Sequence, residues 1–201
     1  MSPDHVRIWT DPSCPWAWQT AKWLADLEAR DLVELEWRVF SLEINASDPD
    51  TPYWQACAQQ GEALVTLLLA RDEGGERAFH SLYAALAERL HKRKERMSPE
   101  TLRAAATDVG LGELPDRAAA TSALVDAVLA EHADARARYV FGVPTLQIGG
   151  SKVVYGPIQS VPPTAEEALA MWEHVRWLVE RPELLELKRW PRDLRPGQAP
   201  T

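Results

Sequence analysis

Hydrophobic and polar residues alternate in two segments near the start of the chain, and the segment between them has a helical pattern. The alternation at residues 5–9 and 33–40 predicts two β-strands. Between them, a helix over about residues 15–30 is predicted by the spacing of Trp16, Trp23, Leu24 and Leu27. Pro15 suits the first helical position, where its missing N–H is not needed. A β-α-β order of this kind predicts that the two strands pair in parallel.

The pattern changes from Tyr53 to Arg138, where Ala, Leu, Glu and Arg recur at helical spacing. Gly and Pro residues interrupt this region several times, at Gly74-Gly75 among other places, which predicts four or five helices. Ser98 is expected to be a helix N-cap, followed by Pro99 as the first helical residue. Because so long a coil between two strands would be implausible, we interpret the region as an inserted helical subdomain.

Strand patterns return after the insertion. Residues 143–148 and 152–155 predict two strands, joined by a hairpin turn at Gly149-Gly150-Ser151. A capping box that begins at Thr164 predicts a helix through Val179, and Pro182 is expected to start a short final helix.

The predicted fold class is therefore α/β, in the order β-α-β, helical insertion, β-β-α. Residues 1–42 and 139–190 are expected to form one domain, residues 43–138 the all-helical insertion, and residues 191–201 a flexible tail.

Composition and charge narrow the possible classes of function. The 201 residues are 46% hydrophobic, which suits one domain with an insertion and excludes global disorder. A net charge of −8 argues against a nucleic-acid-binding protein. The sequence contains neither a signal-peptide pattern nor an apolar run long enough for a membrane span. We therefore expect a cytoplasmic protein without nucleic-acid or membrane partners.

The candidate chemistry centres on Cys14, at the start of the first predicted helix. A thiol reacts as its thiolate, and a helix N-terminus lowers the pKa of a cysteine placed there. Pro15 fixes the first turn, and Trp16 offers an aromatic surface on which a substrate could pack. A small, buried structural cysteine would fit the same position equally well.

A second candidate element is Gly142-Val143-Pro144-Thr145, at the start of the third predicted strand. If the Val143–Pro144 bond is cis, the backbone N–H and C=O of Val143 are free to hold an extended substrate. A trans proline at a strand edge is the commoner alternative.

With the helical insertion between them, these two elements resemble the thioredoxin-like family of the DsbA type. The chain more closely resembles an actinobacterial branch, the mycothiol-dependent nitroreductases. The resemblance rests on Asp11-Pro12-Ser13-Cys14-Pro15-Trp16, Val143-Pro144-Thr145, Tyr155-Gly156-Pro157, Pro162, Glu166-Glu167, Trp172 and Glu186-Leu187-Lys188-Arg189. It implies a thioredoxin-like fold, a homodimer, and an active-site cysteine that a low-molecular-weight thiol reduces.

By this resemblance Cys14 is the catalytic nucleophile and Pro144 the cis-proline that faces it. The substrate-binding residues are then expected to be Pro15, Trp16, Ala17, Val143, Pro144 and His91. His91 occupies a position where the relatives also have His, and it could line the cleft with His80 and Tyr83. A surface histidine or one with satisfied hydrogen bonds is the alternative.

The chain departs from the family at Ala17, because the relatives have a second cysteine there, in Cys-Pro-Trp-Cys. Without that resolving thiol, a mixed disulfide on Cys14 has to be released by an external thiol, such as mycothiol or glutathione. We therefore expect a monothiol cycle, in which Cys14 attacks a disulfide or is oxidised to a sulfenic acid. Ala17 is either natural or an engineered substitution, and the sequence leaves both possibilities open.

Other interpretations of the sequence remain open. Cys57 is expected to be a structural thiol rather than the missing partner, and Asp11 to hold its turn rather than to accept a proton. No metal-ligand cluster or phosphate-binding loop is found, so we expect no metal and no tightly bound cofactor. A kappa-class-like thiol transferase or isomerase, or a non-catalytic binding protein, would fit the same predicted fold.

Overall fold

The computed structural model describes residues 2–58, 60–119, 122–159 and 164–186 of the chain. It begins with strand β1 (Asp4–Thr10), helix α1 (Pro15–Glu28) and strand β2 (Val33–Val39). The two strands are parallel, in register from Asp4 opposite Val33 to Thr10 opposite Val39. The predicted β-α-β unit and its parallel pairing are confirmed.

Two further strands complete the sheet in the described part of the chain. They are β3 (Thr145–Ile148) and β4 (Val154–Tyr155), and the strand order is β2-β1-β3-β4. Strand β3 is antiparallel to both β1 and β4. Both strands are shorter than predicted. Pro144 lies outside β3, in keeping with its lack of the N–H that a ladder needs.

Between Tyr53 and Arg138 the described residues form five helices, within the predicted number, and one further short helix precedes Tyr53. Between β2 and β3 the structure has α2 (Leu42–Ala46), α3 (Tyr53–Ala56), α4 (Gly61–His91), α5 (Pro99–Asp108), α6 (Leu114–Ala119) and α7 (Ser122–Ala137). The predicted break at Gly74-Gly75 is a kink within α4, where Gly75 has φ 70°. A positive φ costs glycine little, so the helix changes direction there and continues. Ser98 caps α5 as predicted, because its Oγ accepts a hydrogen bond from the Thr101 N–H.

The last described helix is α8 (Ala165–Val179), and its capping box at Thr164 and Glu167 is confirmed. The predicted helix after Pro182 is absent, because residues 181–186 form a turn and coil. Leu185 there is 93% exposed, so the segment lacks the packing that normally stabilises so short a helix. The predicted tail at 191–201, together with Pro162 and Leu187-Lys188-Arg189, lies outside the described residues.

The architecture confirms the predicted α/β, thioredoxin-like fold. The domain boundaries given above remain a prediction. Within the described residues, no helix combines the length and the apolar character that crossing a bilayer requires.

Aromatic side chains join the helices to the sheet. On β2, the Trp37 ring stacks on His80 and packs against Phe79 and Tyr83 of α4, with ring centroids 4.8 to 6.0 Å apart. The indole N–H of Trp23 on α1 donates to the Ala168 carbonyl of α8, at 3.1 Å. Buried aromatic contacts of this kind contribute beyond the apolar area that they bury. The insertion is therefore part of the main core.

Strand β2 lies at one edge of the sheet. Side chains from other elements form hydrogen bonds with backbone N–H and C=O groups on its outer side. The Trp37 N–H donates to Glu76 at 2.7 Å, and its carbonyl accepts from Arg71 at 2.7 Å. The Val39 N–H donates to Glu131 at 3.5 Å, and Glu131 also pairs with Arg71. An edge strand normally leaves such groups free to pair with another chain. Here the inserted helices α4 and α7 supply their partners.

We expect the Glu76→Leu variant to lose about 1 to 3 kcal/mol of unfolding free energy, because the Trp37 N–H would lose its acceptor. Urea denaturation measures this loss. The matched control is Glu73→Leu. Glu73 lies on the same helix as Glu76 but forms an exposed ion pair with Arg117 of α6, which should contribute about 0 to 1 kcal/mol to the unfolding free energy. Equal losses in the two variants would contradict the role given to the β2 edge.

Candidate active site

Cys14 is the N-cap of α1, so it joins the turn after β1 to the first helix. Its backbone is extended (φ −88°, ψ 110°), and its Sγ accepts a hydrogen bond from the Ala17 N–H at 3.4 Å. The Cys14 N–H donates to the Asp11 carbonyl at 3.0 Å, which closes the turn. Only 8% of the residue is exposed. The sulfur therefore lies just below the surface, beside the free N–H groups of the helix.

The Val143-Pro144 segment lies against this sulfur, although 129 residues separate it from Cys14 in sequence. The thiol donates to the Val143 carbonyl, with 3.6 Å between Sγ and oxygen. The Val143–Pro144 peptide bond is cis. Thr145 Oγ1 donates to the Gly142 carbonyl at 2.7 Å, and this hydrogen bond between the two flanking residues stabilises the Val143-Pro144 segment. The two elements singled out in the sequence therefore meet at one sulfur atom.

A completely buried carboxyl group, that of Asp11, organises the turn before Cys14. One oxygen accepts from the Ser13 N–H and hydroxyl, at 2.7 and 2.6 Å. The other accepts from the Leu42 N–H at 2.8 Å and so connects the turn to the start of α2. These bonds favour the structural role predicted for Asp11. Burial raises the pKa of this carboxyl group, and the hydrogen bonds only partly oppose that effect.

The pKa of Cys14 is raised, which is opposite to the direction expected from its helix position. Burial is the largest cause, because a thiolate loses hydration there. The Ala17 and Trp16 N–H groups lower the pKa, as predicted, but the Asp11 carboxylate raises it further. Burial thus favours the neutral thiol, which is the form that can donate to the Val143 carbonyl.

The structure separates the predicted substrate contacts by their accessibility. Pro15 and Trp16 are half-buried beside the thiol, whereas Ala17 and Val143 are buried. Ala17 is 0% exposed and packs in one cluster with Cys14, Trp9 and Phe40. Pro144 is buried and His91 is half-buried, so Pro15, Trp16 and His91 are the predicted contacts that a substrate can reach without rearrangement.

His91 also lies beside the active-site turn. Its Nε2 is 2.9 Å from the Pro12 carbonyl, and its ring is 5.5 Å from the Trp18 ring. Because a carbonyl oxygen only accepts, Nε2 of His91 is the donor. Burial lowers the pKa of His91. The hydrogen bond holds the turn two residues before the thiol. By contrast, His80 stacks on Trp37 of β2. Tyr83 is fully buried with its ring against Trp37, and its hydroxyl group lies within electrostatic range of Cys14 and Asp11.

Cys57 packs in a different cluster from Cys14. It is 1% exposed and belongs to the main hydrophobic core, whereas Cys14 belongs to the smaller cluster. Burial raises the pKa of Cys57 to about 11, and both cysteines are free thiols. This environment is typical of a structural cysteine.

The sequence analysis did not single out Lys22, which lies beside Trp18 near the site. Their spacing from Cys14, four and eight residues along α1, places all three on one face of the helix. The Lys22 ammonium lies 3.9 Å from the centre of the Trp18 ring, and Trp18 contacts His91. That spacing was the signal that could have found Lys22.

Comparisons with known proteins agree with this geometry. A family model described as "Rv2466c-like: Mycothiol-dependent nitroreductase Rv2466c" matches residues 13–189. An uncharacterized protein of Mycobacterium tuberculosis, Rv2286c, is 31% identical over 182 residues, which are 89% of this chain and 79% of that protein.

Solved structures share the fold at lower identity. The cytosolic disulfide reductase DsbM of Pseudomonas aeruginosa with GSH is 13% identical, with a TM-score of 0.60 over 87% of this chain and 100% of that one. A probable DsbA oxidoreductase of Streptomyces coelicolor is 22% identical, with a TM-score of 0.57 over 95% of this chain and 97% of that one. At these identities the likeness shows the fold.

Removing the buried carboxylate should make Cys14 easier to ionise. We expect the rate of Cys14 alkylation by iodoacetamide, measured against pH, to have its midpoint at lower pH in Asp11→Asn, because the Asp11 anion raises the pKa of the thiol. Asp4→Asn, at the far end of β1, should keep the original midpoint. An unchanged midpoint in Asp11→Asn would show that burial alone holds the thiol neutral.

The same variant has a structural cost. An Asn side chain offers one acceptor oxygen where Asp11 offers two, so the Leu42 N–H or the Ser13 groups lose a partner. We expect thermal or urea denaturation to show a loss of about 1 to 3 kcal/mol. A fully stable Asp11→Asn protein would contradict the role of this carboxyl group in holding the turn.

Proposed function

The chain belongs to the Rv2466c-like family of mycothiol-dependent nitroreductases, and we propose that it is a thiol-dependent oxidoreductase with Cys14 as its only reactive sulfur. The observation that carries the proposal is the contact of Cys14 Sγ with the Val143 carbonyl on one side and the Ala17 N–H on the other. These two hydrogen bonds hold the sulfur in one orientation, and Trp16 packs against the cluster that contains Cys14. The second cysteine, Cys57, lies in the core.

The proposed cycle has two exchange steps. In the first, the Cys14 thiolate attacks one sulfur of a substrate disulfide, which forms a mixed disulfide on Cys14 and releases the other sulfur as a thiolate that takes up a proton. In the second, an external thiolate attacks the substrate sulfur of the mixed disulfide. Cys14 is then released as a thiolate, and the external thiol remains bonded to the substrate sulfur. Cys14 ends each cycle in its starting redox state.

The residues around Cys14 have defined parts in this cycle. The Ala17 N–H, which already donates to Sγ, stabilises the sulfur each time it becomes an anion. The Val143 carbonyl accepts a hydrogen bond from the Cys14 thiol in the free protein, so it favours the neutral form of the thiol between cycles. The half-buried Pro15 and Trp16 give the incoming disulfide an apolar surface.

The proposal extends to the reaction partners. A low-molecular-weight thiol, mycothiol or glutathione, serves as co-substrate, and no cofactor is held tightly. The family description supports mycothiol, since it names these proteins as mycothiol-dependent. A cytoplasmic location and a homodimer, both implied by the resemblance, belong to the same proposal.

Intact-mass measurement after exposure to oxidised mycothiol or glutathione tests the proposal. We expect one adduct per chain, removable by free thiol, in the wild type and in Cys57→Ser, and none in Cys14→Ser. Absence of any adduct on Cys14 would contradict the oxidoreductase proposal and favour a binding protein. Consumption of thiol with a conjugated rather than a disulfide product would instead indicate the kappa-class-like transferase or isomerase.

Restoring a second cysteine should change how the adduct is released. In Ala17→Cys, residues three apart on a helix place their Cα atoms about 5 Å apart, within the range of a disulfide. We therefore expect the adduct to disappear without added thiol, as a disulfide forms between Cys14 and the introduced thiol. The matched control is Ala21→Cys, a buried position seven residues from Cys14 and about 10 Å along the helix, which should keep the adduct. Persistence of the adduct in Ala17→Cys would contradict the monothiol explanation.

A further inference from the structure

A row of three side chains runs along α1 away from the thiol. Cys14, Trp18 and Lys22 follow one another at four-residue spacing, which advances about 6 Å along the helix at each step. The Lys22 side chain turns back over the Trp18 ring, 3.9 Å from its centre, instead of extending into solvent. Its ammonium group is therefore held near the active-site end of the helix.

The end of α4 lies against this row. His91, the last residue of α4, contacts Trp18 and the active-site turn. Lys94 follows three residues later with φ 62°, a left-handed conformation that is uncommon for a lysine and sets the direction of the chain there. Burial is the main cause that lowers the pKa of the His91 ring, and the charges of Lys94 and Lys22 both help to lower it, against the Pro12 hydrogen bond.

Neighbouring carboxylates are engaged by other cations. Glu88 pairs with Lys92 and Arg93, at 3.4 and 3.8 Å. Arg89 forms ion pairs with both Glu95 and Asp108, at 3.1 and 2.7 Å. Among the residues that the structure describes, Lys22 and Lys94 have no carboxylate within ion-pairing distance. Glu88 acts on Lys22 electrostatically without pairing with it. In a chain with a net charge of −8, these two ammonium groups near the active-site turn therefore have no carboxylate bound to them among the described residues.

We propose that Lys22 and Lys94 bind an anionic group of the substrate, a carboxylate or a phosphate, while its sulfur reacts with Cys14. His91 serves as a positioning residue for this site, because it contacts Trp18, which supports the Lys22 stem, and holds Pro12. The site takes a substrate whose charge lies about 6 to 10 Å from its reacting sulfur, as one to two turns of α1 separate the groups. This inference rests on the proposed function in taking Cys14 as the reacting atom.

A pair of matched disulfides tests the proposal. Dithiodibutyrate is a dianion, and its diamide has the same length without charge. The ratio of their rates of adduct formation on Cys14, read by intact mass, cancels any change in the reactivity of the thiol itself. We expect each of Lys22→Gln and Lys94→Gln to lower this ratio about two- to threefold, and raised salt to lower it in the wild type.

Control variants separate charge at this site from general effects. Lys22→Arg should keep the preference for the dianion. Arg181→Gln should also keep it, because Arg181 likewise lies over a tryptophan ring but on the segment after α8. A ratio in the double variant Lys22→Gln/Lys94→Gln equal to that of the wild type would overturn the proposal. An equal fall in Arg181→Gln would overturn it as well.

Two further measurements complete the test. At constant ionic strength, stronger inhibition of the dianion reaction by butyrate than by inorganic phosphate would identify a carboxylate site, and the reverse a phosphate site. Equal rates with the two disulfides, on a Cys14 that free thiol still regenerates, would refute the anion site and leave the proposed function standing. A preference for the dianion, on adducts that no free thiol removes, would support the anion site and contradict the proposed function.

Discussion

The site depends on one constraint, the antiparallel pairing of β1 with β3. Its register places Trp9, at the end of β1, opposite Thr145, at the start of β3. The chain leaves β1 toward Cys14 at the same end of the sheet where it arrives at β3 through Val143 and Pro144. The contact between the thiol and the Val143 carbonyl is thus a consequence of strand order. A shift of this register by one residue would turn every side chain of β3 to the other face of the sheet.

Around the thiol, burial and the helix N-terminus act in opposite directions. The N–H groups of α1 stabilise a thiolate, but the burial of Cys14, which is only 8% exposed, and the nearby Asp11 carboxylate favour the neutral thiol. Asp11 causes part of this and is also needed, because its oxygens hold the turn and the start of α2. The same carboxyl group therefore builds the site and restrains its reactivity. A bound substrate that changes the surroundings of this carboxyl group or of the sulfur would alter that balance.

Local patterns in the sequence were sufficient for the strands of the β-α-β unit, the cap at Ser98 and the capping box at Thr164, since each depends on neighbouring residues. They were insufficient where distant packing decides. Leu184 and Leu185, after Pro182, are exposed and find no surface to pack on. His80 stacks on the Trp37 ring and does not line the predicted cleft. The direction of the Cys14 pKa depends on burial, which helix position alone does not reveal. The meeting of Cys14 with Val143 was expected only because of the family resemblance.

The side chains along β2 also bear on which molecules the protein can handle. Partners that recognise an enzyme by strand addition need free backbone groups along a sheet edge. At Trp37 and Val39 those groups are already bonded to Glu76, Arg71 and Glu131. The opposite edge, β4, is two residues long. An unfolded polypeptide thus finds a closed edge on one side and a very short one on the other. Neither edge of the sheet that the described residues form therefore offers a long row of free backbone groups to an extended chain.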